Sequence, residues 1–283
     1  MKIRKIKALE IERTVKELCI SANTVLRNDV VRAIRKAYRE ENNGTLAKKM
    51  LGILLENART AEKEKIAICQ DTGMVTVFID MGQDVVVYGG GIKDAINRGV
   101  KKAYSETFFR KSVVRDPLIR ENTGSNTPAV VHMDIVRGKA FRISVVPKGF
   151  GSENKSSLAM LNPTCTSEDI VKFCVETVKR AGPDACPPYV LGIGIGGTME
   201  KCAIIAKKAL LRPIGKPNPE RHLAELEEGI KKEANMLGIG VMGFGGKNTV
   251  LGVNIEKFPT HIAGCPVAVN VSCHALRSAS AEI

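Results

Sequence analysis

The pattern of apolar residues along the chain predicts a helical start and a mixed α/β remainder. Residues 8–62 carry apolar side chains at helical spacing in three successive segments, and Asn42-Asn43-Gly44 separates the second helix from the third. From about residue 74 the pattern changes to the alternating or continuous apolar segments that are typical of strands. We therefore expect an α+β fold in which a helical N-terminal part, residues 1–62, packs on a mixed α/β body, all in one domain of residues 1–283.

Two features of the body are especially clear in the sequence. Residues 128–147 contain two alternating segments on either side of Gly138, which indicates a β-hairpin. A predicted strand, Tyr189–Ile195, leads through a glycine-rich turn into a predicted helix, Thr198–Leu211. The other predicted elements are strands at Met74–Asp80, Val85–Tyr88 and within Val250–Ser272, and helices that end near Arg110 and that span 166–181 and 219–237.

The composition is that of an ordinary globular protein. The chain has 283 residues, of which 44% are hydrophobic and 26% are charged, so it has ample material for a core. No apolar segment approaches the roughly 20 residues that would span a bilayer, and the N-terminus has no signal-peptide core. We therefore expect a cytoplasmic protein with no membrane contact.

The net charge is strongly positive and has three interpretations. Forty-three Lys and Arg against 30 Asp and Glu give +13, which suits a nucleic acid, an anionic substrate or an acidic partner protein. An aromatic content of 4% and the absence of Trp weaken the nucleic-acid interpretation. Because Glu is interleaved with Lys and Arg along the predicted helices, most of this charge is expected on solvated faces.

Eight cysteines raise the question of thiol chemistry. In a cytoplasmic protein they are buried thiols, metal ligands or catalytic groups rather than disulfides. None of them forms a C-x-x-C pair, so the local signatures of zinc ribbons, thioredoxin-like motifs and ferredoxin-type clusters are absent. Spacing alone leaves open which thiols are functional. They are Cys19, Cys69, Cys165, Cys174, Cys186, Cys202, Cys265 and Cys273.

The segment Ile68–Gly73 combines a thiol, an amide and a carboxylate. Cys69, Gln70 and Asp71 follow one another in a predicted loop between a helix and a strand, where polar groups can converge on a ligand. The alternative is a simple turn in which Asp71 bonds its own backbone.

Two further loops are polar and rich in glycine or turn residues. In Arg110–Pro128, arginines recur among turn residues, which suits the binding of carboxylates, although solvent-exposed arginines explain the pattern equally well. The segment Pro147–Lys155 is a similar loop directly after the predicted hairpin.

The segment Gly192–Thr198 satisfies G-x-G-x-x-G between a strand and a helix. A dinucleotide site would need a strand after that helix, and the sequence continues instead into RPIGKPNPE. We expect the glycines to let the backbone approach a cofactor or substrate closely, with helix N-terminal amides facing an anion. His261 and His274 lie in the C-terminal segment, where a structural role is the more common one for a single histidine.

Together these segments resemble one protein family over most of the chain. ICQDTGMVTVFIDMG, LIRENTGSNTPAVVHMDIV, VPKGFGSENKS, LGIGIGGTMEKCAIIAKKALLRP and PTHIAGCPVAVNVSCHALR occur in the family's order, from about residue 10 to the end. They resemble the α subunit of class I, iron–sulfur-dependent fumarate hydratase and L-tartrate dehydratase.

The resemblance implies a cofactor and its ligands. Cys69, Cys186 and Cys273 match the family's ligands to a four-iron, four-sulfur (4Fe-4S) cluster, which leaves one iron not ligated by protein. Such an iron can act as a Lewis acid on substrate oxygens. The ligands are 117 and 87 residues apart, so local spacing cannot reveal them.

The resemblance also implies substrate contacts. Gln70 and Asp71 match residues that contact substrate, and Asp71 is expected to transfer a proton or to orient the reacting hydroxyl. Arg110 resembles an arginine that binds a substrate carboxylate, and His261 matches a catalytic-site histidine.

Single-chain members of the family have a second domain that contributes further catalytic groups, and we expect this chain to lack such a domain after Ile283. The resemblance therefore implies a separate β subunit, a small dicarboxylate substrate and a hetero-oligomer with no nucleic-acid or membrane partner. We expect an iron–sulfur lyase that hydrates fumarate to malate reversibly, a reaction of the tricarboxylic acid cycle. The alternatives are an L-tartrate dehydratase α subunit and, from another class, a basic nucleic-acid-associated protein with structural cysteines.

Overall fold

The structure, a computed structural model, describes residues 3–283. The helices are α1 (Ala8–Thr24), α2 (Asn28–Glu40), α3 (Leu46–Glu64), α4 (Ile92–Glu106), α5 (Phe150–Glu153), α6 (Ser167–Ala181), α7 (Met199–Ala209) and α8 (Arg221–Met236). The strands are β1 (Arg4–Lys7), β2 (Met74–Gly82), β3 (Val85–Tyr88), β4 (Val130–Val136), β5 (Phe141–Lys148), β6 (Ser157–Leu161), β7 (Tyr189–Gly196), β8 (Val250–Phe258), β9 (Cys265–Ser272) and β10 (Ala279–Glu282). The predicted α+β class with a helical N-terminal part is confirmed. Within residues 3–283, no helix has the length and apolar character that crossing a membrane requires.

The chain divides into two compact units, each with its own apolar core. The first unit contains the described residues up to Arg27 together with Ala58–Phe150 and Arg277–Ile283. The second unit contains Asn28–Asn57 and Gly151–Leu276. One domain over residues 1–283 stays a prediction.

In the first unit, a four-stranded sheet has the order β10-β5-β2-β4, and β1 pairs with β3 in a separate parallel pair. Helix α1 packs against α4 and β5. The carboxylate of Glu12 is buried where the two helices meet, and it accepts bonds of 2.6 Å from both Lys102 and Arg98. Lys102 and Arg98 lower the pKa of Glu12. The contact between the two helices therefore contains a buried carboxylate with a cationic partner at each oxygen.

The hairpin predicted for residues 128–147 is wrong. Both of its strands form, as β4 and β5, but β2 lies between them and pairs parallel with β4 and antiparallel with β5. The four residues between β4 and β5 pass the end of β2, where the N–H groups of Gly82 and Asp84 bond to Ala140 and Gly138. Alternation identifies a strand and its faces, but any strand of matching alternation can take the adjacent position.

In the second unit, the sheet has the order β6-β9-β7-β8, with helix α7 packed on its central strands. A Cβ atom at Gly192 would overlap the carbonyl oxygen of Ala206, and one at Gly194 would overlap that of Cys202. These glycines therefore let α7 approach β7 closely, and our expectation that they admit a ligand is wrong for these two positions. The next glycine, Gly196, has a φ of +88° and its Cβ position is occupied by the backbone of Phe258.

This close approach predicts opposite effects for two glycine substitutions. Gly194→Ala should lower the free energy of unfolding by about 1–3 kcal/mol, because its methyl group overlaps the backbone of α7. Gly229→Ala, in α8 with nothing within 4 Å of its Cβ position, is the matched control. It should raise the free energy of unfolding by up to about 1 kcal/mol through helix propensity. Urea denaturation of both variants measures this, and equal stability of the two would contradict the packing argument.

Candidate functional site

The loop Ile68–Gly73 of the first unit holds the carboxylate of Asp71 in a fixed position. Its Oδ1 accepts a bond of 3.0 Å from the N–H of Gly73, and its Oδ2 accepts one of 2.9 Å from the N–H of Phe150. The first bond is the turn that the sequence offered as an alternative, and the second ties Asp71 to another loop. The carboxylate is thus oriented by two backbone donors from different parts of the chain.

The two polar loops predicted around Asp71 and Phe150 adjoin in the structure. Gly73 has a φ of +76°, and its Cβ position lies 2.7 Å from backbone atoms of Lys148, so only glycine fits there. Within this loop Cys69 is half-buried and Gln70 is exposed. The structure therefore brings a thiol, an exposed amide and a fixed carboxylate to one end of β2.

Backbone contacts place Arg110 beside the same loop. The hydroxyl of Thr72 donates to the carbonyl oxygen of Arg110 at 2.8 Å, and the hydroxyl of Tyr104 donates to the carbonyl oxygen of Thr72 at 2.5 Å. The Asn126 amide donates to Gly73 at 3.0 Å. The guanidinium of Arg110 is exposed and makes no ion pair with any residue from 3 to 283. This guanidinium is therefore available to bind the carboxylate of a ligand.

Arg277 is a buried cation that the sequence did not reveal. Its side chain is 3% exposed, its Nη1 donates to Oδ1 of Asn23 at 2.9 Å, and its Nε has no hydrogen-bond partner. Its Nη2 lies 3.4 Å from the Cβ position of Gly149, which is itself 3.0 Å from Oδ2 of Asp71. A buried guanidinium with so few partners is costly, so its place near the Asp71 loop points to an electrostatic role there. An arginine is expected at the surface, and although Arg277 ends the family segment PTHIAGCPVAVNVSCHALR, local pattern does not indicate its burial.

In the second unit, Cys186 adjoins the segment that follows Cys273. The carbonyl oxygen of Cys186 accepts a bond of 3.3 Å from the N–H of His274, and it lies 3.1 Å from Nδ1 of the His274 ring. Cys186 has a φ of +56°, which is uncommon for a residue with a side chain. The two predicted ligands of this unit are therefore linked through the backbone, and His274 orients that link.

His261 lies on an exposed loop near the glycine-rich turn of the second unit. Its Nδ1 accepts a bond of 3.1 Å from the N–H of Ala263, so the neutral ring carries its proton on Nε2. The hydroxyl of Thr260 donates to the carbonyl oxygen of Gly197 at 2.9 Å. The structure thus brings together two segments that the sequence singled out separately, and the predicted catalytic role of His261 stays a prediction.

The eight cysteines fall into groups of different chemistry, and all of them are thiols rather than disulfides. Cys19, Cys174 and Cys202 are fully buried, and burial raises the pKa of Cys174 to about 12 and of Cys202 to about 11. Cys165 and Cys265 are half-buried and pack against the core of the second unit. Cys69, Cys186 and Cys273 lie outside the cores, half-buried or exposed. As loop thiols they suit iron, which binds the thiolate form.

Metal ligands do not cluster within one unit. Among residues 3–283, neither unit brings three His, Cys, Asp or Glu side chains together as a metal site. The assignment of Cys69, Cys186 and Cys273 as ligands therefore stays a prediction.

Comparisons with known proteins cover nearly the whole chain. Residues 12–282 match the family model described as fumarate hydratase (fumerase). A Methanocaldococcus jannaschii protein provisionally named L(+)-tartrate dehydratase subunit alpha is 40% identical over 97% of this chain and 98% of its own length. The Escherichia coli K12 L(+)-tartrate dehydratase subunit alpha is 30% identical over 90% of this chain and 84% of its own length. A Geobacillus stearothermophilus protein provisionally named fumarate hydratase class I is 33% identical over 94% of this chain and 54% of its own length.

The grouping of the thiols predicts the order in which they react. Iodoacetamide at pH 8 should modify Cys186 first in the native, iron-free chain, because its side chain is exposed. Cys174 and Cys202 should stay unmodified until the chain is denatured, because they are buried and their raised pKa values keep them protonated at this pH. Peptide mass mapping of timed samples measures this order, and early modification of Cys174 would contradict it.

Proposed function

This chain belongs to the fumarate hydratase family of hydro-lyases, and we propose that it is the α subunit of an iron–sulfur enzyme that interconverts fumarate and malate. The observation that carries the proposal is the carboxylate of Asp71, which two backbone N–H groups hold at the end of β2 beside Cys69. Dehydration of L-tartrate is the second candidate, because two of the relatives carry that name.

We propose that Cys69, Cys186 and Cys273 hold a 4Fe-4S cluster with one iron not ligated by protein. Two observations support this choice. All three thiols lie outside the apolar cores, whereas Cys19, Cys174 and Cys202 are buried within them and Cys165 and Cys265 pack against the core of the second unit. The backbone link between Cys186 and His274 also holds the two ligands of the second unit in a fixed relation. When bound, the cluster supplies a Lewis-acidic iron that polarises a substrate carbon–oxygen bond.

The remaining chemistry belongs to side chains of this chain. We propose that Asp71 holds or releases the proton that is exchanged with substrate, because its carboxylate cannot rotate without losing a backbone bond. Arg110 binds a substrate carboxylate through its planar guanidinium, and the exposed amide of Gln70 contacts the same substrate. His261 can donate a hydrogen bond from Nε2 to the same substrate.

We propose that a separate β subunit completes the enzyme as a hetero-oligomer. The relatives named subunit alpha support this, because such a name implies a further subunit.

The cluster proposal predicts metal content that depends on three thiols. After anaerobic reconstitution the parent chain should contain about four iron and four sulfide ions, and a Cys69/Cys186/Cys273→Ser variant almost none. Cys165→Ser, at a half-buried thiol outside the proposed set, is the control and should match the parent. Iron and acid-labile sulfide assays measure this. Equal content in parent and triple variant, both alone and co-expressed with the β subunit, would refute the ligand set.

The role of Asp71 predicts a loss of turnover without loss of iron. Asp71→Asn in the complex with the β subunit should lower kcat at least about 100-fold, because the amide cannot exchange the proton while one oxygen still accepts a backbone bond. Iron content should equal that of the parent. Fumarate hydration and tartrate dehydration are assayed side by side, which also separates the two candidate substrates. A kcat within about threefold of the parent would contradict the role of Asp71.

A further inference from the structure

The loop that carries Arg110 presents large apolar side chains to solvent. Leu118 is 89% exposed and Ile119 is 80% exposed at its tip, and Phe108, at its start, is 94% exposed. Single exposed apolar residues are normal on a protein surface, but adjacent ones at the end of a projecting loop mark an interaction site.

Hydrogen bonds keep the tip of this loop in one conformation. The N–H groups of Leu118 and Ile119 both donate to Oδ1 of Asp116 at 2.8 Å. Below the tip, the N–H of Arg115 donates to the carbonyl oxygen of Glu121 at 2.8 Å, so the two arms of the loop pair with each other. A tip that is already ordered loses little conformational entropy when a partner covers it.

The base of the loop is anchored to the candidate site. Oδ1 of Asn126 accepts a bond of 2.8 Å from the N–H of Ser112, and its amide donates to the carbonyl oxygen of Gly73. The carbonyl of Arg110 accepts the bond from Thr72. A protein seated on Leu118 and Ile119 would therefore bind the loop whose base adjoins Asp71.

The charges around the tip indicate the chemistry of the partner. Four cationic side chains, Arg110, Lys111, Arg115 and Arg120, accompany two acidic ones, Asp116 and Glu121. The carboxylate of Asp116 accepts bonds from the tip itself, and that of Glu121 pairs with Arg115 at 3.9 Å, so the surplus of positive charge comes from the other three cations. An apolar pocket with an acidic rim complements this surface, whereas a second copy of a chain of net charge +13 would oppose it.

We propose that Leu118 and Ile119 insert into an apolar, acid-rimmed pocket of the β subunit and anchor it to this chain. The inference rests on the proposed function, which supplies that subunit. The β subunit would then bind at the tip of the same loop whose base is hydrogen-bonded to the segment of Asp71.

The test is a binding titration with tip variants. The probe is the polypeptide of the same organism that matches the part of the Geobacillus relative outside this chain. Leu118→Asp and Ile119→Asp should each weaken its binding at least about 30-fold, as expected for a central apolar anchor. Leu9→Glu, at a 47% exposed position in the first turn of α1, is the matched control and should bind like the parent. Iron content of each isolated chain, measured in parallel, should not change.

Each outcome decides the inference. Weaker binding in the tip variants alone, with unchanged iron, supports it. Parental binding by both tip variants overturns the docking site and leaves the β subunit and the cluster proposals standing. A parent chain that loads iron and does not bind the probe overturns the two-subunit proposal together with this inference. Dissociation of a parental homodimer by the tip variants, with no effect on probe binding, assigns the tip to a second copy and also overturns it.

Discussion

The two backbone bonds to the carboxylate of Asp71 are the constraint on which the candidate site depends. They join the turn at Gly73 to the start of α5 at Phe150, two points 77 residues apart in sequence. A side chain at position 73 would overlap the backbone of Lys148, so only glycine fits at this contact. From this fixed loop, Thr72 and Asn126 position the segment of Arg110 through further bonds. The polar groups that the sequence singled out are thus arranged by backbone contacts rather than by contacts with one another.

The local sequence pattern predicted most helices and strands of the fold well. It predicted poorly which strands pair with one another and which charged side chain is buried. Helices α6 and α8 and strand β7 were predicted within two residues at each end, because periodicity, caps and glycines are local signals. The order β5-β2-β4 was not predictable, since alternation does not say which strand lies between two others. The strands β1, β6 and β10 are short or weakly patterned and were missed. For the site, long motifs identified the family, whereas the burial of Arg277 depends on tertiary neighbours that no local pattern contains.

The exposed arginine of the candidate site and the exposed apolar tip of its loop lie close together in the sequence of the first unit. Arg110 is exposed and lacks an ion pair within the described chain, while Leu118 and Ile119 stand uncovered a few residues further on. Both features fit the proposed complex, in which a partner covers the exposed apolar tip of the loop. The positive net charge is compatible with both proposals, because it favours the approach of an anionic substrate and of a partner with an acidic surface.

The interleaved course of the chain through its two units has a consequence for biosynthesis. The first unit includes Arg277 and strand β10, which pairs with β5, so its last segment is synthesised only after the whole of the second unit. During translation, Arg277, the buried cation near the Asp71 loop, is therefore synthesised after Cys186 and Cys273. A nascent chain cannot complete the surroundings of Cys69 early. The buried cation near Asp71 is thereby the last part of that loop's surroundings to be synthesised, after every proposed iron ligand.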